Sequence, residues 1–86
     1  MENKVLIKLI VPEIDFDFDI FIPVNELVWK VEKLLVKCIS DLTGTFIGNN
    51  DFILINKSNG HVYENNEIII NTDIRNATEL LMLTIK

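Results

Sequence analysis

The clearest pattern along the chain is an alternation of acidic and apolar residues near its start. The segment DFDFDIFIP, residues 15–23, begins with aspartate at every second position and apolar side chains between. A period of two is typical of a β-strand with one face in the core and one in water. Residues 4–11 are rich in Val, Ile and Leu and too short for a typical helix. We therefore predict two strands joined as a hairpin, with Asp15, Asp17 and Asp19 in water. The residues expected to face the core are Phe16, Phe18, Ile20 and Ile22.

An amphipathic helix is predicted after Pro23, the residue that ends the second strand. Apolar residues then recur at spacings of three and four, as they do in a helix with one buried face. Asn25 suits the N-cap position, Glu26 suits the first turn, and Gly44 suits a stop beyond the last turn. The residues expected on the apolar face are Leu27, Val31, Leu34, Leu35 and Cys38.

The second half of the chain is predicted to hold three further strands. Residues 52–56 form an apolar run, and a turn and a short strand that begins at His61 follow. Residues 64–77 form an irregular crossing segment, and residues 79–85 form a strongly apolar last strand. This order predicts an α+β fold, the ubiquitin-like β-grasp, with one main helix packed across a mixed sheet of about five strands. We predict that residues 1–86 form a single domain of this kind.

The charge of the chain excludes several classes of partner. Its 86 residues carry a net charge of −5, and the eight basic residues form no run. Nucleic acid and anionic membrane surfaces bind clustered Lys and Arg, so neither is an expected partner. No apolar stretch approaches the ~18–20 residues that span a bilayer, and no signal-peptide cleavage site is recognised. We therefore expect a cytoplasmic protein without direct membrane insertion.

Three aspartates and one glutamate come close to the spacing of a calcium-binding loop. Counted from Asp15, aspartate stands at positions one, three and five, and Glu26 stands at position twelve. Position six is Ile20, where the loop needs glycine, and carboxylates on one face of a strand lie about 6.6–7 Å apart. The preferred interpretation is a solvated strand face; calcium binding and an acidic strip for a basic partner are the alternatives. No metal site and no cofactor are predicted.

The sequence also predicts no catalytic site. Cys38 fits a small residue on the apolar face of the helix, and His61 fits an exposed turn. With one cysteine and one histidine, the sequence holds no nucleophilic triad and no repeated spacing of metal ligands. We therefore predict that the protein is not an enzyme.

Two apolar features are candidates for a protein-binding surface. Trp29 falls outside the apolar stripe of the helix, and aromatic residues are enriched in binding hot spots. Packing at the edge of the core is the alternative for this side chain. The run at residues 52–55 is apolar on both faces, although a sheet with one helix has one covered face, so one alternate pair must look outward. The predicted partner-binding residues are Ile53, Leu54, Ile55 and Trp29.

Two stretches of sequence carry a resemblance to a known family. The first is PVNELV at residues 23–28, which opens the helix, and the second is IRNATELLML at residues 74–83. Between them, Ile55-Asn56-Lys57 leads into the turn before Tyr63. The chain resembles the YukD/EsaB family of bacterial ubiquitin-like proteins, which are associated with type VII (WXG-type) secretion systems.

One position departs from the pattern of such domains. Ala77 stands where they usually have glycine, in the turn before the last strand. Either the turn differs here or Asn76 takes the left-handed conformation, because a side chain at positive φ costs on the order of 1 kcal/mol.

The resemblance implies a small accessory or regulatory component that acts through noncovalent contacts. Its expected partner is the membrane-anchored secretion ATPase or another subunit of the machine, and the apolar sheet face leaves self-association open. Conjugated ubiquitin and sulfur carriers need a flexible tail that ends in Gly-Gly, whereas this chain ends in LTIK. Conjugation is therefore not expected. The alternatives are a β-grasp interaction domain from an unrelated pathway and, less favoured, a sulfur-carrier-like protein.

Overall fold

The computed structural model describes residues 3–44 and 51–85. Four strands in these ranges form one mixed sheet in the order β2-β1-β4-β3. Strand β1 is antiparallel to β2 and parallel to β4, and β3 is antiparallel to β4. The elements in chain order are β1 (Lys4–Val11), a 3-10 turn (Pro12–Ile14), β2 (Phe16–Pro23), α1 (Val28–Thr43), β3 (Asp51–Asn56), a second 3-10 turn (Ile69–Asn71) and β4 (Glu79–Ile85).

The β1–β2 hairpin confirms the facing that the alternation predicts. The residues of β2 expected to face the core are buried or half-buried, whereas Asp17 and Asp19 are exposed. Asp15 is also exposed but precedes the strand, where it ends the 3-10 turn at a φ of 52°. Aspartate is one of the few residues that take this left-handed conformation with modest strain.

Helix α1 begins later than the sequence predicts, and no side chain caps it. Asn25 lies outside the helix, so its prediction as the N-cap residue is wrong. Instead, the N–H groups of Val28 and Trp29 donate to the carbonyls of Glu67 and Asn65, at 2.9 and 3.2 Å. The crossing segment thereby satisfies donors that a capping side chain would otherwise serve.

The other end of α1 confirms the predicted stop. Gly44 has a φ of 72°, and its N–H donates to the carbonyl of Ser40 at 2.9 Å. The buried face differs from the predicted stripe, since Leu34 is 40% exposed. The apolar residues of α1 that are buried are Val28, Val31, Leu35 and Ile39.

The core lies between α1 and the inner face of the sheet. Leu9, Leu54 and Leu80, on three different strands, are fully buried there. Ile69 and Ile74 of the crossing segment join the same cluster. The opposite side of the sheet, away from α1, is called the outer sheet face below.

The sheet of the described residues has four strands, so the prediction of about five is wrong. The strand expected at His61 is reduced to a single bridge between Ile55 and Val62. Tyr63 follows and turns into the core, where it is 2% exposed. Its hydroxyl donates to the carboxylate of Asp73 in the crossing segment. The backbone N–H of Tyr63 still donates to a carbonyl of β3 at 3.0 Å before the chain leaves this edge of the sheet.

The turn before β4 holds Ala77 itself in the left-handed region, at a φ of 74°. Its N–H donates to the carbonyl of Leu6 at 2.8 Å, and the Oδ1 of Asn76 accepts from the N–H of Leu6 at 2.9 Å. Of the described residues outside glycine, Asp15 and Ala77 have positive φ, so the alternative that Asn76 takes this conformation is wrong. The two bonds to β1 hold the alanine in a conformation that glycine would adopt more readily.

Replacement of Ala77 by glycine is expected to raise the free energy of unfolding by about 0.5–1 kcal/mol. Glycine removes a steric cost of about 1–2 kcal/mol, and part of this gain is offset by the larger entropy of its unfolded chain. Urea denaturation of the two proteins measures the difference. Gly60→Ala is the matched control, because Gly60 has a φ of 74° and an added Cβ would meet nothing within 4 Å. The control should be destabilised by a similar amount, and a less stable Ala77→Gly protein would contradict the strain at Ala77.

Candidate protein-interaction surface

The register of β3 decides which side of this strand is available to a partner. Leu54 is fully buried and Phe52 is 9% exposed, so both face the core. Ile53 and Ile55 alternate with them and are half-buried on the outer sheet face. The prediction that Leu54 contacts a partner is therefore wrong, because its side chain has no accessible surface. Ile53 and Ile55 stay predicted contact residues.

An apolar patch on the outer sheet face surrounds the middle of β4. The strand register places Leu81 between Ile10 of β1 and Ile55 of β3. Val62 is the bridge partner of Ile55 and is 47% exposed. The apolar patch is defined as Ile10, Ile53, Ile55, Val62, Leu81 and Leu83. Because α1 packs on the other face, these side chains lie where water or a partner can reach them.

A row of charged residues crosses the same face next to the apolar patch. Lys8 of β1 stands between Asp19 of β2 and Glu79 of β4 in the strand register. The ammonium of Lys57, just beyond β3, lies 3.7 Å from the carboxylate of Glu79. The charged row is defined as Asp19, Lys8, Glu79 and Lys57, and its signs alternate along its length. Exposed ion pairs contribute only about 0.2–1 kcal/mol each to stability. The main effect of the charged row is therefore on which molecules can bind to this face.

A second apolar area lies on the far side of the charged row. Leu6 and Phe21 are cross-strand partners and are 37% and 58% exposed. Beside them is a cleft of about 240 Å³ whose lining includes Leu6, Ala77 and the first three members of the charged row. Along the strands, the outer sheet face is therefore apolar, then charged, then apolar.

Trp29 lies away from this surface, in the first turn of α1. Its indole is 38% exposed, and the ammonium groups of Lys30 and Lys33 are 5.6 and 5.9 Å from the ring centroid. These distances are within the range of cation–π attraction. The structure does not bring Trp29 together with Ile53 and Ile55, so a contact at Trp29 would form a separate site.

A polar cluster ties the turn after β3 to the crossing segment. Asp73 accepts hydrogen bonds from the hydroxyl of Tyr63 and from the amide of Asn59, the second at 3.0 Å. The bond from Tyr63, followed by that from Asn59, lowers the pKa of Asp73 below its ordinary value. Burial, together with the bond to Asp73, raises the pKa of Tyr63. Asn56, which is buried, donates to the hydroxyl of Tyr63 at 3.1 Å and completes the cluster.

Sequence reasoning missed this polar cluster. Its members are spread from Asn56 to Asp73 and match no compact motif. The one signal in the sequence is Tyr63 itself, because a tyrosine that is buried needs a hydrogen-bond partner for its hydroxyl. The cluster positions the turn beside the apolar patch, because it fixes the chain on both sides of Val62.

The described ranges, 3–44 and 51–85, place no three His, Cys, Asp or Glu side chains together as ligands for a metal ion. Asp17 and Asp19 follow the extended course of β2 and do not wrap around a centre. Cys38 is half-buried in α1, and His61 is exposed at the turn, where its ring packs edge-on against Tyr63 with centroids 4.8 Å apart.

None of the helices in the same two ranges is both long enough and apolar enough for a transmembrane segment.

Known structures share this arrangement of helix and sheet. The ubiquitin-like domain of EccD5 from Mycobacterium xenopi superposes with a TM-score of 0.77 at 10% identity, over 99% of this chain and 98% of that chain. A protein designed de novo on the basis of ubiquitin gives 0.67 at 15% identity, over 98% and 92%. The protein has a ubiquitin-like β-grasp fold.

The ubiquitin-like fold also matches part of a larger chain. A chain of the MycP5-free ESX-5 inner membrane complex has a TM-score of 0.80 at 13% identity, and the match covers 98% of this chain but 21% of that one. Neither a protein-family model nor a curated protein sequence matches this sequence. Identities this low establish the ubiquitin-like fold alone.

Proposed function

We propose that this ubiquitin-like domain is a noncovalent protein-interaction module that binds its partner through the apolar patch. The observation that carries the proposal is the run of aliphatic side chains Ile10, Leu81, Ile55 and Val62 across the uncovered face of the sheet. Contiguous apolar surface of this kind is typical of interaction sites. The charged row and Asp17 border the patch with polar groups, as the rim of an interface does.

We further propose that the machine it serves is a type VII secretion system, in the manner of the YukD/EsaB family. The resemblance of residues 23–28 and 74–83 supports this, and so do the matches to EccD5 and to a chain of the ESX-5 inner membrane complex. In this role the domain is a cytoplasmic accessory or regulatory component. Its partner is the membrane-anchored ATPase or another subunit of the machine.

The proposed role needs no catalysis. Cys38 lies on α1, whereas His61 lies at the turn after β3, where its backbone N–H donates to the Oδ1 of Asn59 at 2.9 Å. The outer sheet face instead offers shape, apolar area and fixed charges, which are the requirements of recognition.

Replacement of Ile55 by aspartate is expected to weaken partner binding by at least about 30-fold, the effect of losing a hot spot of about 2 kcal/mol. Ile55 lies at the centre of the apolar patch, so the new carboxylate would be desolvated in the complex. Capture of the secretion ATPase and of the other machine subunits on the immobilised domain measures the loss, and secretion in cells reports its consequence.

Leu34→Asp is the matched control, since Leu34 is an exposed leucine on α1, on the other side of the sheet. It should bind as the wild type does, and circular dichroism should show both variants folded. Equal capture by wild type and a folded Ile55→Asp protein would exclude the apolar patch as the binding site.

A further inference from the structure

We propose that the outer sheet face also binds a second copy of this chain, in one symmetric arrangement selected by the charged row. The proposal deepens the proposed function and rests on it in so far as both use the apolar patch. Two copies would meet face to face, with the outer sheet faces about 10 Å apart as in other stacked sheets.

The order of signs along the charged row favours one symmetric arrangement of two copies. Read from β2 to β3, Asp19, Lys8, Glu79 and Lys57 are negative, positive, negative and positive. A two-fold axis that runs along the strands, midway between β1 and β4, reverses this order in the second copy. Asp19 then faces Lys57 of the second copy and Lys8 faces its Glu79, so that all four contacts join opposite charges. A two-fold interface requires self-complementarity of this kind.

The charged row also disfavours another symmetric way to stack the two sheets. A two-fold axis along the row itself would place each charged residue against its own copy. Lys8 would face Lys8 and Glu79 would face Glu79, and such like-charge contacts disfavour association. The same axis would turn the apolar patch onto Leu6 and Phe21 of the second copy, so the alternation of signs favours the axis along the strands.

The apolar patch is compatible with the same axis. Ile10 on β1 and Leu81 on β4 are neighbours in the register and lie on opposite sides of the proposed axis. Each would therefore face the other residue of the second copy, at the centre of the interface. Asp17, next to Ile10 on the edge strand β2, would lie at the rim near Ile55 of the second copy. Beside the axis, the apolar contacts of Ile10 and Leu81 would adjoin the charged contacts of Lys8 and Glu79.

The arrangement implies competition between self-association and partner binding. Both would cover Ile55 and Leu81, so the dimer could not hold the partner on the same surface. A high concentration of the free domain would then reduce capture of the partner by mass action.

Two charge reversals test the arrangement. In Lys8→Glu and in Glu79→Lys, each dimer would contain two like-charge contacts in place of attractive ones. Each variant alone is expected to dimerise at least tenfold more weakly than the wild type in sedimentation equilibrium. In an equimolar mixture, the altered position 8 of one variant faces the altered position 79 of the other, so a heterodimer should form with near wild-type affinity.

Labelling one variant with ¹⁵N lets native mass spectrometry distinguish the heterodimer from either homodimer. The mixture is decisive, because destabilisation within either chain would not be repaired by adding the other chain. A wild type that stays monomeric at concentrations on the order of 1 mM overturns the inference, as does a mixture of folded variants that stays monomeric.

The outcome for the dimer is separable from the outcome for the proposed function. If the wild type is monomeric and Ile55→Asp still loses the partner, the dimer is excluded and the proposed function is supported. If the heterodimer forms but no machine subunit is captured by the wild type at low concentration, the dimer is supported and the proposed function is excluded.

Discussion

Truncation of Leu54 to alanine is expected to lower the free energy of unfolding by about 2–5 kcal/mol. Leu54 is fully buried in the middle of β3, where it contributes to the cluster between the sheet and α1. Removing its branched end loses the transfer free energy of the buried methyl groups and leaves a cavity that the rigid sheet fills only in part. Urea denaturation followed by circular dichroism measures the change.

Ile55→Ala is the matched control, one residue along the same strand. Ile55 is half-buried on the outer sheet face, so its truncation should cost less than about 1.5 kcal/mol. The comparison tests the register as well as the packing, because a shift of β3 by one residue exchanges its two faces. A larger loss for Ile55→Ala than for Leu54→Ala would therefore contradict both the burial of Leu54 and the position of the apolar patch.

Replacement of Tyr63 by phenylalanine is expected to lower the free energy of unfolding by about 1–2 kcal/mol at neutral pH. The ring stays buried, but the bond from its hydroxyl to Asp73 and the bond it accepts from Asn56 are lost. A hydrogen bond to a charged group contributes about 1.5–3 kcal/mol when shielded, and the lower range applies because Asp73 is open to water. Thermal or urea denaturation at constant ionic strength gives the difference.

The pH dependence of the same pair has a defined sign. The bond from Tyr63 lowers the pKa of Asp73 in the folded protein below its ordinary value of 3.8. A carboxyl group with a lowered folded-state pKa stabilises the fold above 3.8, and this contribution is lost as the pH falls below 3.8 through the folded-state pKa. The gap in stability between wild type and Tyr63→Phe should therefore narrow as the pH falls below 3.8.

Tyr63 makes the stability of the fold depend on pH at the alkaline end as well. Its pKa is raised above the ordinary value of 10.0, so its contribution is complete below pH 10.0 and is lost as the pH rises further. Asp73→Asn is the second variant, since it keeps the size of the side chain and removes the titrating carboxyl. A gap between wild type and Tyr63→Phe that stays constant, or widens, below about pH 4 would show that the Tyr63–Asp73 bond is absent in solution.

Much of the fold follows from patterns within single elements. The alternation at residues 15–22 predicts the facing of β2, because successive side chains of a strand point to opposite faces whatever they pack against. Gly44 ends α1 for a similarly local reason, since its left-handed conformation carries no Cβ penalty. The apolar residues 79–85 predict a central strand, because both of its backbone edges are paired and its inner face is buried.

Other features depend on residues that are distant in the chain. The start of α1 is decided by carbonyls of Asn65 and Glu67, which lie nearly forty positions further on, and no local capping signal predicts them. The hydroxyl of the buried Tyr63 finds its partner in Asp73, ten positions further on, and no local pattern predicts this bond. The turn at Ala77 keeps its strained conformation because its N–H bonds to Leu6 of β1.

The candidate interaction surface shows the same division. The sequence alone determines that residues 52–55 are apolar on both faces and that one alternate pair must look outward. Only the tertiary structure decides that Ile53 and Ile55 are the outward pair, because this depends on where α1 packs. The charged row likewise exists only through the register, which brings Lys8 beside Glu79 from opposite ends of the chain. Periodicity is a property of one segment, whereas facing and adjacency arise from the packing of segments against one another.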